Sequence, residues 1–155
     1  MRKIKYKTGL LIIATLLLIY SGCSDNSVQT TTETLLYEYP GVMENVGGDC
    51  SAVQIRTRSL GTMDLSGADK IRFNFEGMSD ADLSSISFYY LENDEQIFLV
   101  NLPDRDQINS TRSIEVNTPG INTEIYSRVT LKSSVCTGQI FFLTLSNLKI
   151  FKVNN

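Results

Sequence analysis

Histidine is missing from all 155 residues. Its absence removes the Ser–His and Cys–His nucleophile pairs, the commonest general base and the usual zinc ligand. Paired carboxylates are the catalytic equipment that remains, and Asp80 with Asp82, Glu92 with Asp94 and Asp104 with Asp106 stand at close spacing. Each pair falls in a stretch expected to turn, where acidic side chains are solvated and accept backbone hydrogen bonds. They are read as turn formers, so no catalytic residue is assigned. The glycine-containing, Asx-rich loop of an EF-hand is absent, as are phosphate-cradling glycine loops; Gly47-Gly48-Asp49 reads as a turn. No metal site and no cofactor are expected.

Long apolar runs are also scarce, with one exception at the start. Arg2, Lys3, Lys5 and Lys7 precede an uncharged stretch, Leu10 to Tyr20, which gives way to the small residues Ser21 and Gly22 and then to Cys23. A basic start, an apolar middle and small residues at the end form the three-part layout of a signal peptide. As a helix, the run of about 12 residues from Gly9 would reach roughly 18 Å, well short of the ~30 Å hydrocarbon core that a permanent span must cross.

Tyr20-Ser21-Gly22-Cys23 resembles the lipobox of bacterial lipoproteins. The resemblance implies diacylglycerol on the Cys23 thiol, cleavage between Gly22 and Cys23, and acylation of the new amine. Because each buried methylene contributes about 0.8 kcal/mol, two or three acyl chains would make release from the membrane negligible. Tyr20 departs from the usual Leu, Val or Ile. Ser24 stands immediately after the cysteine and Asp25 one further on, a pattern that in enteric-type lipoproteins leans toward the outer membrane. Residues 1–22 are therefore expected as a cleaved signal. Residues 23–34, polar but for Val28 until Thr34, are expected as the lipidated cysteine and a flexible tether, and 35–155 as one folded domain.

All four charges of the basic cluster would leave with the signal. Ten of the 14 Lys and Arg then face 17 Asp and Glu, a net charge of about −7. Such a balance argues against nucleic acid as a partner.

The remainder reads as strands. Ile71, Phe73 and Phe75 alternate with Arg72, Asn74 and Glu76, the period-2 pattern of a half-buried strand; Val53 and Ile55 alternate with Gln54 and Arg56, and Val129 and Leu131 with Arg128, Thr130 and Lys132. Ser84 to Leu91 and Gln96 to Leu102 flank Glu92-Asn93-Asp94-Glu95, a hairpin-sized turn. The second of these strands is apolar on both parities, which predicts a central strand or one covered by a loop. Pro103 ends it, and a polar loop is expected to about Ser110. In the last strand, Phe141, Leu143 and Leu145 share one parity and Leu148 and Ile150 the other, which predicts a bulge or tight turn at Ser146-Asn147.

About eight short strands point to an all-β antiparallel β-sandwich. Asp64 to Phe73 and Leu143 to Ile150 resemble an early strand and the last strand of galactose-binding-like jelly rolls, the fold of many carbohydrate-binding modules. The resemblance implies a fold more than a ligand. Cys50 and Cys136 would lie in an oxidising compartment, where an even pair usually closes. First and last strands commonly neighbour one another in a jelly roll, which suits a bridge; two buried free thiols are the alternative.

With Ile71, Phe73, Ile86, Phe88, Val129 and Leu131 turned inward, the outward set includes Arg72, Asn74, Tyr89, Tyr126 and Arg128, while Tyr90 falls to the core. Aromatic faces beside Arg and Asn are what a glycan site needs, although Trp, the favoured sugar platform, is absent. The loop Asp104 to Ser110 is a second candidate. The expected function is that of a lipid-anchored envelope protein binding a ligand, with a glycan as the candidate, without catalysis; the alternative is a structural or assembly lipoprotein that binds another envelope protein through a sheet edge or apolar patch. Intact-mass measurement on membrane-extracted protein should find a chain starting at Cys23 and carrying acyl chains, and an unmodified Cys23 would exclude the anchor.

Overall fold

The computed structural model describes residues 31–154; the signal, Cys23 and most of the expected tether lie outside the described residues. Eight strands follow one another: β1 (Thr32–Gly48), β2 (Gln54–Asp64), β3 (Lys70–Ser79), β4 (Ser85–Glu92), β5 (Glu95–Leu102), β6 (Ser110–Asn117), β7 (Asn122–Leu131) and β8 (Phe141–Asn154). They form two four-stranded antiparallel sheets, ordered β1-β8-β3-β6 and β2-β7-β4-β5. This is the jelly-roll arrangement of an all-β sandwich. β1 begins at Thr32, within the segment expected as tether.

The core lies between the sheets and is built by strand alternation. Ile71, Phe73 and Phe75 of β3 face Ile86 and Phe88 of β4, all at most 1% exposed. Phe88 stacks on Phe73 with ring centroids 4.8 Å apart and meets Phe75 edge-on at 5.3 Å. These three rings clamp one sheet to the other, and each buried side chain is worth about 1.5–3 kcal/mol, with ~0.5–1.5 more for a ring pair.

β8 carries the predicted irregularity. Leu143 and Leu145 before it, and Leu148 and Ile150 after it, are all fully buried. The flip is absorbed at Asn147, which adopts φ 53°, while the pairing with β3 jumps from Asn74↔Lys149 to Glu76↔Ser146. Asn is one of the few side chains that tolerate this left-handed conformation. Its amide also holds both neighbours: Oδ1 accepts from the Gly41 backbone N–H of β1 at 2.9 Å, and Nδ2 donates to Glu76 of β3 at 3.0 Å.

The hairpin β4–β5 turns through Asn93 and Asp94, with φ 52° and 66°, the conformations of a two-residue I′ turn. β5, however, is an edge strand and not a central one. A register shift between Phe88 and Tyr89 brings Val100 opposite Phe88 and Phe98 opposite Tyr89, so residues of one parity are split between the faces: Val100 is buried in the core and Phe98 lies outside at 47% exposure. Val53 and Ile55 also depart from expectation. β2 is the other edge of its sheet, and these side chains are 49% and 57% exposed. Its inward apolar contribution comes from Leu60 and Met63 instead.

The polar stretch after Pro103 folds into a single helical turn, α1 (Arg105–Ile108), capped by Asp104, whose carboxylate accepts from the Gln107 N–H at 2.9 Å. Ile108 is fully buried. Gly77 of β3 makes room for it, because a Cβ there would come within 2.9 Å of the Ile108 carbonyl oxygen and of its side chain.

Cys50 and Cys136 are joined, with Cα atoms 5.3 Å apart across a sequence separation of 86. Cys50 follows β1 and Cys136 lies between β7 and β8, so the bridge ties loops that pass from one sheet to the other. In the chain-entropy treatment a loop of this size contributes about 4–5 kcal/mol. The double variant Cys50→Ser, Cys136→Ser should therefore lose about 4–5 kcal/mol in urea unfolding; a loss under about 1 kcal/mol would mean that the closed loop does little for stability.

Candidate functional site

The sandwich has two outward faces, and the five residues expected to form one site are divided between them. Arg72 and Asn74 project from β3 on the first sheet; Tyr89 of β4 and Tyr126 and Arg128 of β7 project from the second. On the first sheet's face Lys70, Arg72 and Lys149 are all ion-paired. Arg72 pairs with Glu33 of β1, places Nε 3.1 Å from Glu115 of β6, outside hydrogen-bond alignment, and lies with Cζ 5.9 Å from the Phe151 ring centroid. Lys149 pairs with Glu38 at 2.8 Å. Arg72 thus spans the sheet from β1 to β6, which makes it a cross-strand brace. Asn74 stands opposite Lys149 and Ser113, with its Oδ1 buried and unpaired among the described residues.

The second sheet's outer face is different. Tyr126, Tyr89 and Phe98 stand directly opposite one another on β7, β4 and β5, forming a row across three adjacent strands. Tyr89 and Tyr126 stack with centroids 5.3 Å apart and planes 15° apart; Tyr89 and Phe98 meet at 5.8 Å and 57°. The guanidinium of Arg128 lies 5.2 Å from the Tyr89 ring centre. Enclosed on these sides, Tyr89 is only 4% exposed although it does not belong to the core between the sheets. It supports the row rather than offering a ring to solvent. The accessible members are Phe98, half-buried Tyr126 and half-buried Arg128.

The Tyr126 hydroxyl donates to Glu124 at 2.6 Å, and the same carboxylate accepts from the Ser59 hydroxyl of β2. These bonds, Ser59 first, hold the Glu124 carboxyl below the usual carboxylate range. The Tyr126 phenol is pushed above its ordinary value chiefly by the bond it gives to Glu124. The network fixes the outer ring of the row.

The second candidate region, around Asp104 to Ser110, contributes Arg105 to a shallow cavity of about 260 Å³ also lined by Asp80, Asp82, Thr137 and Gln139. Its acids are occupied with loop geometry. Asp80 accepts from the Phe142 N–H at 2.7 Å, and Asp82 accepts from the Ser134 N–H at 2.9 Å and from its hydroxyl, bonds that lower its pKa. Asp104 caps α1, and Asp94 forms the hairpin turn. Among the described residues no group of three or more acidic or Cys side chains is placed to hold a metal ion, and no helix is long and apolar enough to cross a membrane.

No protein-family profile and no curated protein matches the chain. Solved structures that resemble it include infectious bursal disease virus, Gt strain, at 9% identity and TM-score 0.43, with 79% of this chain and 32% of that one covered. This chain thus spans about a third of the length of that protein. A mutant of a family 29 carbohydrate-binding module resembles it at 11% identity and TM-score 0.36, covering 80% and 92%. The CBM36-1 domain of a multidomain xylanase from the hindgut metagenome of Trinervitermes trinervoides does so at 13% and 0.32, covering 81% and 98%. At these scores the fold rests on its own strand order.

Sequence reasoning missed Phe98, Glu124 and Ser59. Phe98 shares its parity with the buried Val100 and Leu102, so its outward position comes from the register shift between them, which alternation does not show. For Glu124 and Ser59 the missing information was which strand neighbours β7.

The bond from Tyr126 to Glu124 has a pH signature. Glu124, depressed, stabilises the fold above its unfolded pKa and loses that contribution as pH falls through its folded value; Tyr126, raised, contributes below about pH 10 and loses it as pH rises through its folded value. In an NMR titration of the tyrosine ring carbons, Tyr126 should ionise above the ordinary phenol value, and Glu124→Gln should bring it back down; an unmoved titration would disprove the coupling.

Proposed function

We propose that this chain is a lipid-anchored protein of the bacterial cell envelope, held through Cys23 and expected at the outer membrane, whose sandwich binds a glycan without catalysis. The observation that carries the glycan part is the row Tyr126–Tyr89–Phe98 with Arg128 beside it on one open sheet face. Aromatic rings offer C–H-rich sugar faces a flat apolar partner, and a guanidinium supplies fixed donors for ring substituents. The rings are braced from below and behind, so little side-chain freedom is lost when a ligand settles on them. The anchor rests on the lipobox-like end of the apolar run.

Docking of an envelope protein has an observation of its own. Val135, Ile140 and Phe142, close in sequence around the disulfide loop, are 51%, 60% and 51% exposed. Crosslinking from position 140 in intact cells that retrieved one stoichiometric protein would favour that alternative.

On a glycan array the protein should bind at least one saccharide. Tyr126→Ala and Phe98→Ala should each weaken that binding about tenfold, or ~1.4 kcal/mol. An array without hits, or a hit insensitive to both substitutions, would overturn the glycan assignment.

A further inference from the structure

Two arginines project from the two outer faces, and their surroundings are opposite. Arg72 is paired with Glu33 and Glu115. Arg128 has neither an ion-pair nor a hydrogen-bond partner among the described residues; its Cζ lies 5.2 Å from the Tyr89 ring centre, and its Nε, like that of Arg72, is buried without an acceptor. Acids are not scarce, since the chain has 17 Asp and Glu. The nearest one on the same strand face, Glu124, is two outward positions further along β7 and is engaged by Ser59 and Tyr126. Ser87 of β4 and Thr57 of β2 flank Arg128 in register, and neither carries charge.

A half-buried guanidinium without a counter-charge is costly unless an acceptor arrives, and its terminal nitrogens, which unlike Nε are not closed off from solvent, can receive one. Its fork of donors matches a planar pair of oxygens, the geometry of a carboxylate, better than a single sugar hydroxyl. The Tyr89 ring, 5.2 Å from Cζ, holds the guanidinium in place by a cation–π contact.

We infer that the aromatic row takes a carboxylate-bearing saccharide, one containing uronic acid, with the carboxylate received by Arg128 while neighbouring sugar rings lie against Tyr126 and Phe98. This inference rests on the glycan assignment above and adds the charge of the ligand to it.

Matched pairs of saccharides test it by calorimetric titration of the full chain in detergent micelles. The probes are oligogalacturonate and its methyl ester, and xylo-oligosaccharides with and without glucuronate branches. In at least one pair the acid form should bind tenfold or more tightly than the neutral form, with the advantage shrinking as salt is raised. Arg128→Gln should collapse that ratio to within about twofold, and Arg128→Lys, which keeps the charge but loses the fork, should retain only part of it. Unfolding curves superimposable on the wild-type protein identify variants that have kept the fold. If neutral forms bind as tightly as acid forms in every pair, or the ratio survives Arg128→Gln, the carboxylate inference fails while glycan binding stands. If no saccharide of either kind binds, both fail.

Discussion

The structure depends on β8 keeping its apolar side chains inward along its whole length while it pairs with two neighbours at once. A strand of 14 residues accumulates twist, and strict alternation would carry its second half off the core. One residue in a left-handed conformation corrects this. Asn147 resets the parity, and its amide links β1 and β3 at the level where both registers shift. Leu148, Ile150 and the inward half of β3 pack as they do because of that reset. The rest of the sandwich is laid against this sheet through the Phe73, Phe75 and Phe88 rings.

Much of this was legible in the residues. The alternation of β3, the hairpin around Asn93-Asp94, the parity flip at Ser146-Asn147 and the inward Tyr90 all follow from local pattern, because period 2 and turn chemistry are short-range facts; the pairing of Cys50 with Cys136 came instead from an even pair of cysteines behind an export signal. What local pattern does not carry is strand order. Gln96 to Leu102 reads as a central strand or a loop-covered one on apolarity alone, yet it is an edge strand whose register shift sends Phe98 outward while Val100 and Leu102 stay inside. Val53 and Ile55 alternate correctly, but at an edge the alternation does not say which set turns inward.

The candidate site shows the same division. Outwardness was readable for Arg72, Asn74, Tyr89, Tyr126 and Arg128, but which sheet each belongs to was not, and two opposite faces were merged into one set. Adjacency then decides chemistry. Arg72 meets Glu33 and Glu115 because β1, β8, β3 and β6 are neighbours, whereas Arg128 meets an aromatic ring because β7 lies beside β4. Two residues of the same type acquire different capacities from strand order alone, one as a brace and one as an open donor.

The bridge between Cys50 and Cys136 encloses most of the described chain, including the exposed turn at Asn93-Asp94 and the segment around α1. A protease that cut either of those loops would produce a nick and not a separation, since the two pieces would stay covalently joined and each sheet would keep its pairing partners. Cleavage ahead of β1 lies outside the bridge, and under the proposed attachment through Cys23 it would free the whole domain in a single piece. The same covalent link thus marks out a stretch of backbone in which scission is survivable.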